Sequence, residues 1–291
     1  MTTAVLRRLP VHLPWLVILV GFAAMYLPVY WWAANGIWQS DDQAHGPIVL
    51  AVTVGLVWLC RRALLAAEPQ PAYAAGWSIF LFGLLLYLAG RAIDISILFL
   101  GSQIPVLLGA LLIVGGWPAV RALWFPLIYL VFMIPLPGTL VDALTGPLKQ
   151  WVSVIAESLL YTAGYPIARD GVMLTIGQYQ LLVADACSGL NSMFSLSALG
   201  MLYMYIVART SRLHNAVMLA SILPVAFAAN IVRVLTLVLV TYHFGDEAGQ
   251  GFLHGAAGIV LMVAALLILF AIDGVLAKLI RPRAAARSAH G

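Results

Sequence analysis

Long apolar runs are the feature of this sequence that most limits what the chain can fold into. Several reach the ~20 residues that an α-helix needs to cross the hydrocarbon core of a bilayer, and 63% of all residues are hydrophobic. In that medium the backbone must satisfy its own hydrogen bonds, which leaves helices and closed barrels as the only spanning structures. The runs lack the alternation of apolar and polar residues that marks barrel strands. The sequence therefore predicts an all-α polytopic membrane protein.

Eight apolar runs are candidate membrane spans. They cover residues 13–34, 46–60, 75–90, 95–116, 122–136, 189–208, 215–241 and 252–277. The first run is longer than the core of a signal peptide and lacks a convincing cleavage site, so we expect it to stay as a helix. We expect one integral membrane domain over residues 1–280 and a disordered cytoplasmic tail over residues 281–291.

Basic residues predict the orientation of the spans. If the eight runs cross the membrane one after another, the basic clusters all lie on the same side of it. The positive-inside rule makes that side cytoplasmic. Both chain termini are then inside. The clusters are Arg7 with Arg8, Arg61 with Arg62, Arg121, Arg209 with Arg212, and Lys278 with Arg281 and Arg283. Because the formal charge of +4 is scattered rather than gathered on one stripe, no nucleic-acid partner is expected.

The longest predicted outer segment is an insertion of about residues 137–188, between spans five and six. An amphipathic helix is expected near residues 148–161. It is followed by a β-hairpin in which the segments GVMLTI and YQLLVA flank Gly177 and Gln178. The hairpin leads to Cys187, just before span six.

Arg233 is the most unusual residue inside a span. A charged side chain at the centre of a membrane helix costs about 2.5–3.5 kcal/mol on insertion scales and usually faces protein or water. Arg233 lies about eight residues, or ~12 Å, below the predicted outer end of span seven. Asn230 and Thr236 stand three residues to either side, so both are expected on the same helix face.

Cys187 and His254 are predicted at the same membrane depth as Arg233. Cys187 precedes the outer start of span six, where backbone N–H groups and the helix dipole favour a thiolate. His254 is expected in the first turn of span eight. Taken singly, a packing cysteine, a hydrated histidine and an arginine that reaches the headgroups are ordinary features of a membrane protein. Their predicted convergence favours nucleophilic catalysis, with a thiolate, an acid-base and a cation for the oxyanion.

Four motifs resemble those of the exosortase family of bacterial membrane transpeptidases: ADACSGLNS, AANIVRV, HGAAG and the early outer loop DDQAHGP. The resemblance implies that Cys187 is the nucleophile of a cysteine protease or transpeptidase, Arg233 the partner of the oxyanion or substrate carbonyl, and His254 the acid-base. It implies as partners secreted proteins with a C-terminal sorting signal of the PEP-CTERM type, made of a Pro-Glu-Pro motif, a transmembrane helix and a basic tail. The active site would lie on the periplasmic side of the bacterial inner membrane, and neither a metal nor a cofactor is expected.

Four further residues are candidate substrate-binding positions: Asn191, Ser192, Asn230 and His45. Asn191 stands where many family members have Arg, which suggests the B subtype. His45 shares its loop with Asp41 and Asp42, where a solvated loop is a commoner explanation than a metal or substrate site because ligand spacing is lacking.

Two other kinds of function remain open. In a polysaccharide or lipid export component, Arg233 and Asn230 would bind an anionic substrate inside the membrane. Such a transporter needs a pathway to both faces, and the cytoplasmic halves of the spans hold few ionisable residues. In a noncatalytic assembly scaffold, substitutions of Cys187, Arg233 and His254 would all be tolerated.

Overall fold

A computed structural model describes residues 13–40, 43–136, 138–182 and 189–280, with the backbone alone at 138–142, 144–145, 189–193 and 252–255. The chain forms two compact units, Met1–Pro137 and Gly138–Gly291. The predicted tail after residue 280 lies outside the described residues. The single domain over residues 1–280 stays a prediction.

The first unit is helical throughout its described part. Its helices are α1 (Leu13–Ala34), α2 (Gly46–Ala66), α3 (Tyr73–Ala92), α4 (Ser96–Gly101), α5 (Gln103–Val114), α6 (Gly116–Ala122) and α7 (Trp124–Tyr129), with 3₁₀ turns at Ile37–Gln39 and Leu130–Met133. The first four predicted spans correspond to α1, α2, α3 and the segment Ser96–Val114, all long and apolar enough to cross a membrane.

Glycines let α3 and α5 pack with their backbones in contact. Gly76, Gly83 and Gly90 recur every seven residues along α3. A Cβ atom at Gly83 would lie 2.7 Å from the backbone nitrogen of Val106 in α5, which no ordinary side chain could tolerate. Because lipid is as apolar as the helix surface, such close packing holds membrane helices together better than burial of apolar area does.

The second unit combines helices with a small sheet. Its elements are α8 (Gly138–Thr162), β1 (Ile167–Asp170), β2 (Met173–Ile176), β3 (Tyr179–Leu182), α9 (Gly189–Val207), α10 (Arg212–Phe244), α11 (Asp246–Gly255) and α12 (Ala257–Leu279). Helix α8 contains the predicted amphipathic helix and begins ten residues before it.

The predicted hairpin is confirmed, and a third strand joins it. Strands β2 and β3 pair antiparallel, with Ile176 opposite Tyr179 across the Gly177–Gln178 turn. Gly177 has φ +57°, the left-handed backbone that primed hairpin turns require. Strand β1 pairs antiparallel with the other edge of β2, so the sheet order is β1-β2-β3.

Helix α10 is central to the second unit because it contributes to two apolar clusters. The sheet cluster contains Val152, Ala156, Leu160, Ile167, Leu174, Ile176, Leu181, Val234, Leu237 and Val238. The helix cluster contains Leu196, Met218, Val225, Ala226, Ala229, Leu261, Ala265 and Leu269. The later part of α10 therefore packs on α8 and the sheet, and its earlier part packs on α9 and α12.

The all-α membrane class is confirmed, whereas the number of eight spans is not. Six helices of the described chain qualify as spans, and a seventh is counted if Gly116–Ala122 and Trp124–Met133, which are bent by 67°, form one broken span. The apolar part of α9, Phe194–Val207, is shorter than the six. The predicted span 252–277 is divided, since a separate helix, α11, precedes α12. The inside location of both termini stays a prediction.

A buried ion cluster joins α12 to the start of α10 and to the segment just before it. Asp273 of α12 is only 6% exposed. Its carboxylate accepts hydrogen bonds from Arg209 Nη2 at 2.6 Å and Nε at 3.2 Å, and from His214 Nε2 at 2.7 Å. A carboxylate at this depth is tolerated because both of its oxygens have charged or polar donors.

Replacing Asp273 by alanine should lower the stability of the protein by about 1–3 kcal/mol, because buried His214 loses a hydrogen bond to a charged acceptor. The Arg209 side chain is 43% exposed and can be solvated by water, so its ion pair with Asp273 contributes little to the loss of stability. Thermal unfolding of the purified protein in detergent measures the effect. The matched variant Asp273→Asn keeps an acceptor oxygen and should melt closer to the wild type. An unchanged melting temperature for Asp273→Ala would contradict this role.

Candidate active site

Arg233 and Asn230 lie together on the buried face of α10, each 7% exposed. They stand between Ala229, the last α10 residue of the helix cluster, and Val234, the first α10 residue of the sheet cluster. The two polar residues therefore occupy the junction of two apolar clusters. A guanidinium at such a position has little access to bulk water, so its charge acts through a low local dielectric.

Two details of the prediction for Arg233 differ in the structure. Helix α10 continues to Phe244, so Arg233 lies eleven residues, or ~16 Å, before its end rather than ~12 Å. Thr236 is half-buried, unlike Asn230 and Arg233, and its hydroxyl donates to the Val232 carbonyl at 2.8 Å.

The start of α9 falls at the level of Arg233. A Cβ atom at Gly200 of α9 would lie 2.9 Å from Ile222 Cγ1 of α10, which marks where the two helices touch. Gly189, the first residue of α9, lies eleven residues before Gly200, and Arg233 lies eleven residues after Ile222. Because the helices run in opposite directions, both steps lead ~16 Å the same way. The backbone that follows Cys187 is thereby brought to the depth of Arg233.

The end of α11 approaches the same level from another direction. The chain reverses at Gly245, where φ is +91°. Helix α11 then packs on α10, since a Cβ atom at Gly249 would overlap the Thr241 side chain. Five residues further along α11, the backbone of His254 lies roughly level with the turn of α10 that follows Arg233. His254 thus stands near the end of α11, and not in the first turn of the last span as predicted.

The described side chains cover only part of the predicted site. Residues 183–188, with Cys187, lie outside the described residues, and so do the side chains of Asn191, Ser192 and His254. Of the predicted site residues, the structure therefore brings together the side chains of Asn230 and Arg233. The roles of the others stay predictions.

His45 belongs to the first unit. It immediately precedes α2, and its Nε2–H donates to the Phe132 carbonyl at 3.1 Å. Burial lowers the pKa of His45, and the hydrogen bond to the carbonyl opposes that shift. The imidazole is therefore neutral at pH 7 and joins the start of α2 to the 3₁₀ turn Leu130–Met133. Its companions Asp41 and Asp42 lie outside the described residues.

An aromatic cluster at the end of α10 was not predicted. Tyr165, between α8 and β1, packs edge-on against Tyr242 and His243 with ring centroids 5.4 and 5.8 Å apart. A hydrogen bond of 3.2 Å joins Tyr165 Oη to His243 Nε2. The predicted span 215–241 ended before Tyr242 and His243. The apolar run before them gave no sign that α10 would continue to Phe244.

Among the described residues, no group of three or more His, Cys, Asp or Glu could hold a metal ion.

Comparison with known families decides the wider relationship. The model of a family described as transmembrane exosortase (Exosortase_EpsH) matches residues 31–271. The chain belongs to the transmembrane exosortase family. This exosortase is accordingly a multi-pass membrane protein of a transpeptidase family, which confirms the resemblance of its motifs, although not the subtype. No curated protein and no solved structure matches it.

Proposed function

We propose that this exosortase is a cysteine transpeptidase that cleaves C-terminal sorting signals of secreted proteins at the outer face of the bacterial inner membrane. The observation that supports this most is the common level of three backbone positions. Counted by helical rise from the contacts at Gly200 and Gly249, the start of α9 and the end of α11 fall at about the same level of the second unit as the buried Arg233. Cys187 stands two residues before α9 in the sequence, and His254 stands in α11.

In the proposed reaction the thiolate of Cys187 attacks a backbone carbonyl beside the sorting motif. The carbonyl oxygen becomes an oxyanion, and Arg233 stabilises its charge. His254 then protonates the departing amine, the C–N bond breaks, and the transmembrane tail leaves. The acyl group remains on Cys187 as a thioester, which an amine or water resolves with loss of a proton to His254.

The buried position of Arg233 suits the role of oxyanion partner. A charge placed in a low dielectric stabilises a developing opposite charge more strongly than the same charge in water. Asn230 lies one helical turn before it on the same face and would bind a substrate amide. Asn191 and Ser192, in the first turn of α9, are proposed to contact the substrate backbone. His45 of the first unit stays a candidate substrate-binding residue.

The proposed substrate has three parts: a Pro-Glu-Pro motif, a transmembrane helix and a basic tail. The helix fixes the depth of the scissile bond. Because it holds the reacting carbonyl at one level of the membrane, it raises the effective concentration of that carbonyl at Cys187.

The proposal is tested with a secreted reporter protein that ends in this three-part signal, produced in bacterial cells with and without the exosortase. The expected result is a shorter reporter, freed of its tail, only in cells that contain the exosortase. Cleavage that occurs equally in its absence, or no cleavage by well-inserted enzyme, would overturn the proposal. A transport component would leave the reporter at full length.

A further inference from the structure

The free edge of β3 is the feature of the second unit that the proposed reaction leaves without a role. Within the described residues, β3 pairs with β2 on one side and no strand pairs with its other side. Cys187 stands five residues after Leu182, the end of β3. At ~3.3–3.6 Å per residue, the Cα atoms of Leu182 and Cys187 are at most ~18 Å apart.

The pattern of backbone hydrogen bonds in the sheet shows which backbone groups of β3 point away from β2. The N–H of Gly177 donates to the Pro166 carbonyl at 3.2 Å. The backbone N–H and C=O groups of the odd-numbered residues of β2 therefore point toward β1. The backbone groups of successive residues in a strand point to opposite neighbouring strands. Those of Leu174 and Ile176 therefore point toward β3 and pair with the backbone of Leu181 and Tyr179. The backbone N–H and C=O of Gln180 and Leu182 therefore point away from the sheet.

The opposite edge of the sheet is protected, unlike that of β3. The outward N–H of Ile167 in β1 is occupied, since it donates to the Tyr165 carbonyl at 2.9 Å. Beside it Arg169 forms an ion pair with Glu157 of α8 at 3.0 Å. Charged side chains and neighbouring helices are the usual means by which proteins shield sheet edges. Gln180 is exposed, and within the described residues no backbone hydrogen bond is made by the outward N–H of Gln180 or Leu182, at the edge that leads to Cys187.

We infer that the sorting signal binds as an additional β-strand along the free edge of β3, with its Pro-Glu-Pro motif opposite Gln180. This inference rests on the proposed function. Main-chain pairing with a sheet edge is a general way for a protein to hold an extended peptide. It positions the scissile bond by backbone geometry and needs few specific side chains.

The spacing of the two prolines fits this mode of binding. Proline has no N–H and is tolerated in a strand only where that position faces away from the sheet. In an extended Pro-Glu-Pro segment both prolines point to the same side, and the glutamate between them points to the other. The glutamate therefore offers its N–H and C=O to Gln180, while both prolines face outward. The bound strand then offers no complete edge to a further strand.

Proline at position 180 tests the pairing. Gln180→Pro removes the outward N–H but no bond to β2, and Tyr179 before it already has the extended backbone that a following proline favours. We expect the processing rate at limiting reporter concentration to fall at least tenfold. Gln180→Ala, which keeps the amide, should lose no more than about threefold. An equal rate for Gln180→Pro and wild type would overturn the inference, and so would equal losses in both variants.

Two controls separate this inference from the proposed function and from misfolding. The melting temperature and the rate of Cys187 alkylation should be the same in Gln180→Pro and wild type, since neither depends on the substrate strand. If wild-type enzyme fails to cleave the reporter, the proposed function fails. If it cleaves the reporter and Gln180→Pro does so equally, the proposed function stands and strand pairing alone is wrong.

Disulfide trapping tests the geometry directly. In a Cys60→Ala, Cys187→Ala background, Gln180→Cys is combined with single cysteines placed along the Pro-Glu-Pro region of the reporter. Side chains of a paired strand alternate between two faces, so cross-linking should rise and fall with a period of two residues. A yield that does not alternate would overturn the inference.

Discussion

Replacing Cys187 by alanine should abolish release of the reporter tail while the protein remains inserted and folded. Without the sulfur no thioester forms, and removal of a covalent nucleophile usually costs several orders of magnitude in rate. We expect a loss of at least ~1,000-fold, measured as the fraction of reporter shortened per unit time in membranes.

Cys60 supplies the matched control for that experiment. It is a half-buried thiol in α2, in the first unit. Cys60→Ser removes the other thiol of the chain and should process the reporter at the wild-type rate. Undiminished cleavage by Cys187→Ala would exclude the thioester mechanism, whatever the effect at Cys60.

Replacing Arg233 by alanine should lower the turnover number by about 100- to 1,000-fold, the range seen when one oxyanion donor is removed. Arg233→Lys keeps the positive charge but lacks the planar fork of donors, so its activity should fall between that of alanine and wild type. Single-turnover rates of reporter cleavage measure both variants.

A second comparison separates the loss of charge from the loss of packing, because Arg233 is only 7% exposed. Thr236→Val, at a half-buried position of the same helix, should cleave the reporter at the wild-type rate. The rate of Cys187 alkylation reports whether the Arg233 variants remain folded around the thiol. Wild-type turnover by folded Arg233→Ala would remove Arg233 from the mechanism.

The membrane helices could be predicted because a bilayer imposes one length and one composition on them. The first run was predicted at residues 13–34, the bounds of α1. The fifth run was harder to predict, because it does not form one continuous helix. Pro126 lacks the N–H that would bond to the Ala122 carbonyl. The helix breaks at Leu123, between α6 and α7, and the apolar composition of the run does not reveal that break.

The β-hairpin was predictable from its turn, and β1 was not. Gly177 takes the left-handed backbone that the turn needs, and apolar segments flank it. The sequence of β1, IARD, has only one strongly β-forming residue and no alternating pattern. It forms a strand because β2 offers it a pairing edge, which is a tertiary effect.

At the candidate site, sequence predicted the shared buried face of Asn230 and Arg233 and also placed there Thr236, which is only half-buried. Residues three before and three after Arg233 diverge in opposite directions around the helix, by about 60° each. Packing decides which of the two is buried. Here the buried stripe continues through Val234 and Leu237, away from Thr236.

The most direct test of the central claim is to trap the acyl group on Cys187. Membranes with wild-type enzyme and reporter are quenched with acid during turnover, and the peptide that contains Cys187 is examined by mass spectrometry. A thioester between Cys187 and the reporter, released by neutral hydroxylamine and missing from Cys187→Ala, is the predicted result. Rapid turnover with an unmodified Cys187 at every time point, or an acyl group on another residue, would contradict the account.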